Sequence, residues 1–395
     1  MGKWNRMTIQ ECTDILGDGL HGTPKYNENG EYAFINGNNL INGKVCVKKE
    51  TKRVDCEEYQ KYKKPLNDRT ILVSINGTLG NVGLYNDEKI VLGKSACFFN
   101  VKKSIDKDFI YYVVSSSKFK QYLEVNATGT TIKNFSLKQM REYSFEIPEN
   151  IEEQKKVSSL LRQIDLKIQT NNEINDNLLN QVFLIYNQYL FDASPAKLGD
   201  LIFSIETGKR PKGGAENNGI PSIGAEKIER FGIYDYSSEK YINKEFYLSM
   251  KKGKVLSSDV LLYKDGAYTG KSSMALNGFP HDECVVNEHV FILRTINSKY
   301  QFFLYCCLND SNIKTKIESL AAGKAAQPGL NQKELKSIDI QLPNINNLLE
   351  FENQVKPLME LIASNALENK KLVNLRDVLL PKLMSGELDI SDIEI

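Results

Sequence analysis

Ala127-Thr128-Gly129-Thr130-Thr131 opens a stretch that runs to Phe145-Glu146-Ile147-Pro148, and Ala321-Ala322-Gly323-Lys324-Ala325 opens one that runs to Ile340-Gln341-Leu342-Pro343. Each ends by launching a long helical pattern, and the two match with a one-residue insertion. The likeness extends upstream. Ile71-Leu72-Val73-Ser74-Ile75-Asn76-Gly77-Thr78 answers Leu261-Leu262-Tyr263-Lys264-Asp265-Gly266-Ala267, an apolar strand followed by a polar glycine turn. Tyr32-Ala33-Phe34-Ile35-Asn36-Gly37 answers Ile220-Pro221-Ser222-Ile223-Gly224-Ala225. Order and spacing agree twice, so the chain is written as two copies of one fold whose side chains have diverged.

The helical stretches after each copy carry coiled-coil spacing. Val157, Leu161, Ile164, Ile168, Asn171, Asn175, Leu178, Val182, Ile185 and Tyr189 alternate steps of four and three, a heptad seam interrupted by two asparagines. Val355, Met359, Ile362, Ala366, Asn369, Val373, Arg376 and Leu380 do the same before Pro381, which is expected to stop the helix. Two copies related by a two-fold require the helices to run antiparallel, and buried Asn171, Asn175 and Asn369 would then set their register at some cost in stability. Amphipathic helices packed on their own domains are the plainer alternative. Short apolar runs such as Ile71–Ile75, Ala96–Val101 and Val260–Tyr263, bounded by Gly, Asn and Asp, read as strands, while Phe109–Leu123 and Tyr300–Leu320 read as helices. The fold class is α+β: two pseudo-repeated mixed α/β domains, 1–150 and 193–345, separated by spacer helices in 151–192 and 346–395 that form an antiparallel coiled coil.

Composition narrows the function. At 395 residues, 41% hydrophobic and 26% charged, the chain can bury more than one core, and no apolar run approaches the roughly 18 residues that would cross a membrane. The first residues lack a secretory pattern and the seven cysteines lack Cys-x-x-Cys spacing, so reduced thiols and a cytoplasmic location are expected. The net charge of +1 hides an alternation: +4 over 1–150, −2 over 151–192, +3 over 193–343 and −4 over 344–395. Two mildly basic parts suit phosphates and two acidic helical parts suit another partner.

Catalytic constellations are missing from the sequence. His21, His281 and His289 are scattered, without ligand spacing. Lys264–Ser272 ends in Gly-Lys-Ser, yet three residues rather than four separate Gly266 from Gly270, and Asp265 stands where glycine belongs. What remains suits nucleic acid. Each copy opens on a basic, glycine-rich turn, Gly22-Thr23-Pro24-Lys25-Tyr26 and Gly208-Lys209-Arg210-Pro211-Lys212-Gly213-Gly214. Such turns offer amides and cations to phosphates, and Arg210 could alternatively pair with guanine. Side-chain amides such as Asn36, Asn38, Asn39 and Asn76 can read adenine edges, although asparagine is also an ordinary turn residue. The candidate DNA-binding residues are Lys25, Tyr26, Asn36, Asn38, Asn76, Thr78 and Lys133 in the first copy. In the second they are Lys209, Arg210, Lys212, Lys264, Tyr268, Lys324 and Gln327.

The order of these features resembles the specificity subunits of type I restriction-modification systems over nearly the whole chain. The C-terminal Leu375-Arg376-Asp377-Val378-Leu379-Leu380-Pro381-Lys382-Leu383-Met384-Ser385-Gly386-Glu387-Leu388 is similar to that family's ending. Ile147-Pro148 with Glu152-Glu153-Gln154-Lys155-Lys156 resembles its central conserved region, and Thr207–Gly214 its second-domain opening. Asn344–Glu352 departs from the pattern by lacking the Glu-Glu-Gln run. The resemblance implies two target-recognition domains, each reading half of a bipartite asymmetric site on double-stranded DNA, with no catalytic residue and no cofactor on this chain. It also implies two methyltransferase (modification) subunits that bring S-adenosylmethionine, and motor-nuclease (restriction) subunits that bring ATP and Mg2+. A stand-alone coiled-coil DNA-binding or scaffold protein is the competing class.

Overall fold

The computed structural model describes residues 3–129, 132–322 and 329–388. It divides into two compact units, Met1–Leu166 with Val373–Ile395, and Lys167–Leu372. Each unit therefore holds one globular domain together with a segment of each long helix.

The first unit is built on a four-stranded antiparallel sheet in the order Thr13–Asp18, Ala96–Val101, Thr70–Ser74, Val82–Leu84. Its two central strands are buried along their whole length, which is why they read as unbroken apolar runs rather than alternating ones. Successive side chains point to opposite faces, so Ile71, Val73, Cys97 and Phe99 face a helical layer containing Phe109, Val113, Phe119 and Leu123. Leu72, Ala96 and Phe98 face Ile35, Leu40 and Leu92 in a smaller layer. That layer is a three-stranded sheet in which Ala33–Ile35 runs parallel to Ile90–Leu92 and antiparallel to Arg53–Val54. Trp4–Thr8 pairs with Ser144–Pro148 and so joins the start of the domain to the strand that launches the central helix.

The second unit repeats this plan strand for strand. Its four-stranded sheet is ordered Ile202–Thr207, Val290–Thr295, Val260–Tyr263, Ser272–Met274. Its three-stranded sheet pairs Ser222–Ile223 in parallel with Val285–Val286. Ser194–Lys197 closes on Asp339–Leu342. The first copy adds only a short hairpin, Leu40–Ile41 with Lys44–Val45. Each expected long helix before the closing strand is two helices: Lys107–Ser115 and Ser117–Asn126, then Gln301–Asn309 and Ser311–Ala322. Ser116 and Asp310 break them by accepting from the amides of Phe119 (3.2 Å) and Ile313 (3.2 Å), the capping role that favours such residues at helix starts.

Even the polar core repeats. Thr70 and Asp259 occupy one position of the fold and Asn100 and Arg294 another. Thr70 Oγ1 accepts from the Asn67 amide (2.8 Å) and donates to Asn100 Oδ1 (2.7 Å), while Asn100 Nδ2 donates to the Pro65 carbonyl (2.7 Å). In the second copy Asp259 Oδ2 accepts from the Leu256 amide (2.8 Å), the Arg294 guanidinium grips both Asp259 oxygens (2.6 Å each) and Nη2 reaches the Lys254 carbonyl (3.0 Å). A neutral network in one copy has become an ionic one in the other, with the same backbone groups satisfied.

The central helix spans Ile151–Tyr189 and the distal helix Ile345–Met384, each about 60 Å long at 1.5 Å per residue. They run antiparallel. In the first unit Arg376 Nη1 meets Asp165 Oδ1 at 2.9 Å, and Val157 and Leu161 share a core with Leu380 and Leu383. In the second, Asn171 Nδ2 donates to Asn369 Oδ1 (2.9 Å) and Glu368 Oε2 (2.7 Å), Asn365 Nδ2 donates to Asn175 Oδ1 (2.9 Å), and Tyr189 pairs with Gln354 (3.2 Å). As numbers rise on one helix they fall on the other. The asparagines of the seam thus bond across the pair, as a register-setting layer must. Past Leu178 the buried line steps by four to Val182 and Tyr186, leaving Ile185 half exposed, because a straight helix drifts from a strict heptad. The expected stop at Pro381 is overturned: the helix continues to Met384 and also runs through Pro357. A proline forfeits the bond to the carbonyl four residues earlier but still accepts, and Pro381 O takes the Ser385 amide at 3.1 Å.

The distal helix also caps its neighbour. Tyr300 supplies no side-chain cap to the helix Gln301–Asn309, and Glu352 instead accepts from the amides of Phe303 (2.7 Å) and Phe302 (3.3 Å). Burial pushes the Glu352 carboxyl up to about 8, against the opposing pull of those two amides. A carboxyl that holds its proton more tightly when folded makes stability greatest below the ordinary carboxylate range and erodes it as pH rises towards 8. The expected outcome is that Glu352→Gln is increasingly stabilising relative to the native chain from pH 5 to pH 8, by at most about 1.4 kcal/mol per pH unit. Urea melts at several pH values check this, and a difference that stays flat would show that Glu352 is already ionised.

Candidate nucleic-acid interface

In each domain the strand Thr70–Ser74 or Val260–Tyr263 runs out into a glycine turn, and neighbouring loops are hydrogen-bonded around it. In the first copy Ile75 N donates to Ser95 O (2.9 Å), Phe135 N donates to Ile75 O (2.8 Å) and Gly77 N to Lys133 O (2.9 Å). Ser95 Oγ donates to Asn36 Oδ1 (2.8 Å) and accepts from Gly37 N (2.9 Å), and Asn81 Nδ2 donates to Gly37 O (3.2 Å). Asn76 Nδ2 reaches Asn134 Oδ1 at 3.3 Å. Asn36, Asn76, Thr78 and Lys133 are therefore brought to one end of the domain. Asn38, exposed, lies in the short 3-10 turn Gly37–Asn39 beside them. Asn39 is buried and spends its amide on Cys46 O (2.9 Å) and Thr51 (3.1 Å), a structural role. Lys25 and Tyr26 make other contacts within the domain. The Lys25 amide donates to Glu58 Oε2 (3.0 Å), and the Tyr26 ring packs edge-on against Phe34 (5.7 Å) beneath Lys52.

The second copy repeats the scaffold bonds. Lys264 N donates to His289 O (3.0 Å) and Leu330 N to Lys264 O (2.8 Å), so Lys264, Asp265 and His289 stand where Ile75, Asn76 and Ser95 stand in the first copy. Asn287-Glu288-His289 answers Gly93-Lys94-Ser95, since Gly93 N donates to Ile35 O (2.8 Å) and Asn287 N to Ile223 O (3.0 Å). The opening loops are pinned alike. A Cβ on Gly19 would lie 2.2 Å from Leu92 O and one on Gly208 1.5 Å from Val286 O, so only glycine allows the loop so close to the strand. That equivalence sets Arg210 opposite His21.

The side chains on this shared frame differ. Arg210 pairs with Glu288 Oε1 at 2.9 Å, His289 lies 3.5 Å from Glu288 and 3.4 Å from Asp265, and Lys264 pairs with Asp265 beneath the Phe291 ring. Lys264 is thus half-buried within the cluster. Tyr268 is exposed, with Lys271 4.6 Å over its ring and tied to Glu229. Lys209 and Lys212 are exposed without an ion pair among the described residues. Lys324 and Gln327 lie outside the described residues. Sequence reasoning missed Asn81, Lys94, Ser95, Glu288 and His289. Their signal was positional: they sit at matching offsets from the repeated strands.

The first copy thus presents neutral amides, which both donate and accept, and the second presents a guanidinium, carboxylates and an imidazole, groups suited to base edges. Among the described residues no group of three His, Cys, Asp or Glu could hold a metal, and no helix is long and apolar enough to cross a membrane. His281, with Glu239 at 2.6 Å, is largely enclosed and shares that carboxylate with Tyr234. Burial holds the imidazole below its usual range, as suits a packed structural histidine.

The fold is thus repeated, with different polar groups on equivalent loops, and the two copies are joined by paired helices. Residues 1–180 and 192–376 match the family model described as type I restriction modification DNA specificity domain, and the chain belongs to that family. The type I restriction enzyme MjaIX specificity subunit of Methanocaldococcus jannaschii is 23% identical over 397 aligned residues, covering 94% of this chain and 87% of that protein. The HindI specificity subunit of Haemophilus influenzae is 35% identical over 86 residues, 22% of this chain and 19% of that one. The crystal structure of the type I restriction-modification S subunit from M. genitalium superposes with a TM-score of 0.54 at 20% identity, over 97% of this chain and 96% of that one, and shares its fold. DNA sequence specificity is the role this family carries.

Proposed function

We propose that this chain reads a bipartite, asymmetric DNA target, one half-site per domain, and that the paired helices both set the gap and scaffold two methyltransferase subunits. The observation that carries the reading is the conserved hydrogen-bond frame bearing unlike side chains in the two copies, since one scaffold reading two sequences must vary its loop residues and keep its frame. The chain itself performs no chemistry in this reading. S-adenosylmethionine for adenine methylation belongs to the methyltransferase subunits, and ATP and Mg2+ belong to the motor-nuclease subunits. Both sets of subunits assemble on this chain, and the acidic helical segments are the natural place for the methyltransferase contacts.

Replacing residues 193–343 with the same domain of a relative is expected to change one half of the methylated motif and leave the other intact, as read by methylation-sensitive sequencing of cells carrying the hybrid. A change in both halves, or in neither, defeats the two-reader model. Failure of the purified chain to capture a methyltransferase subunit would favour the stand-alone scaffold.

A further inference from the structure

We infer that Arg210, held by Glu288, is a guanine-reading residue of the second domain, so that the half-site read by that domain contains a G·C pair which Arg210 selects. The inference rests on the proposed half-site reading and adds the chemistry of one contact.

Arg210 lies on the opening loop that Gly208 pins against Val286, and its Nη2 meets Glu288 Oε1 at 2.9 Å on the adjoining loop. An exposed ion pair by itself contributes little and orders little, but Glu288 is not a free surface carboxylate. Its Oε2 is shut off from water with no hydrogen-bond partner among the described residues, and His289 approaches Oε1 at 3.5 Å. A carboxylate half removed from water depends on the cation beside it, so the pair keeps the guanidinium next to Glu288 while the Arg210 side chain stays 56% exposed towards a ligand. The pair engages one terminal nitrogen of Arg210 and leaves further N–H donors in the planar fork. A fixed fork with two parallel donors matches O6 and N7 of guanine, the commonest specific contact of arginine with DNA, and no other base offers two acceptors at that spacing in the major groove.

Comparison of the copies supports the assignment. At the two equivalent positions the first domain carries His21 and Lys94, and His21 is paired instead with Asp18, at the end of the preceding strand, at 2.6 Å. A lysine at the position of Glu288 offers no carboxylate to hold the residue on the opening loop. The arginine-carboxylate device is therefore confined to the second domain, where a residue serving only to attract phosphate would need no carboxylate. Lys209 and Lys212, exposed and without an ion pair among the described residues, are the phosphate contacts of the same loop. Glu288 is a positioning residue, acting through Arg210.

The test uses the full chain assembled with its methyltransferase subunits. Arg210→Lys keeps the charge and removes the fork. It is expected to leave affinity for non-cognate DNA within about threefold and to reduce discrimination at one G·C position by roughly 5- to 150-fold, so that the methylated motif becomes degenerate at that position. Glu288→Gln should loosen the same position by less. The Lys209→Ala, Lys212→Ala pair should weaken all sequences alike and lower the salt slope by roughly two units, with the motif unchanged. If Arg210→Lys abolishes methylation, binding to duplexes carrying each G·C to A·T change decides: equal discrimination by native and variant complexes overturns the inference. So does an unaltered motif, or a native half-site, identified by the domain exchange, that holds no G·C pair. A native chain that yields no bipartite motif at all would instead refute the proposed function, a distinguishable failure.

Discussion

A seven-residue insertion between Leu166 and Lys167, matched by one between Leu372 and Val373, is expected to widen the gap of the methylated motif by about three base pairs without changing the bases of either half. One heptad adds about 10 Å of helix, and a base pair occupies about 3.4 Å of duplex. The insertion must be made in both helices because they run antiparallel. The Asp165–Arg376 pair lies on one side of the two insertion points and the Asn171–Asn369 pair on the other. A matched insertion preserves both. An insertion in the central helix alone moves the buried amides of Asn171 and Asn175 seven residues out of step, where they face apolar seam positions, and a buried amide without its partner costs about 1–3 kcal/mol. The single insertion should therefore lower stability and give little methylation, while the matched pair restores both. Three base pairs also turn the duplex by about a third of a helical turn, so the matched variant should bind more weakly unless the DNA twists to meet it. An unchanged gap in a matched variant that still methylates would show that the helices do not measure the spacing.

The second large effect is one of stability. Arg294→Asn alone strands Asp259, whose side chain is 1% exposed, without its bidentate partner. Removing one member of a buried ion pair costs about 3–5 kcal/mol, and a urea midpoint should fall accordingly. The equivalent positions in the first copy hold Thr70 and Asn100, which satisfy the corresponding backbone groups without any charge. The double change Asp259→Thr with Arg294→Asn is therefore expected to recover most of the loss. Recovery should be incomplete, because Arg294 Nη1 also binds Glu206 Oε1 at 2.9 Å and that carboxylate would lose a partner. A double variant no more stable than the single one would show that the two copies are not interchangeable in this part of the core.

Much of the architecture was legible in the amino-acid order. Two copies, their α+β character, the strands Thr70–Ser74 and Val260–Tyr263 with their glycine turns, and the asparagine-interrupted seams all follow from apolar spacing, and spacing is a local property. The distal helix beyond Pro381 was not legible, since a proline's effect depends on whether the surrounding turns are held by packing. Leu380 and Leu383 are buried in the first unit's core and hold them.

The candidate interface divides in the same way. By itself the sequence determined that polar turns follow buried strands and that the opening loops are basic, because residue type alone decides which segments can be buried and which carry charge. Only the tertiary structure decided which turns stand together. Ser95 comes to Asn36, Glu288 to Arg210 and His289 to Asp265 because strands far apart in the chain pair edge to edge and bring their loops to one end. It also showed that Lys264 is engaged with Asp265. Pairing between strands far apart in the chain is fixed by the burial of both faces of the sheet, a balance of many contacts that no single stretch of sequence records.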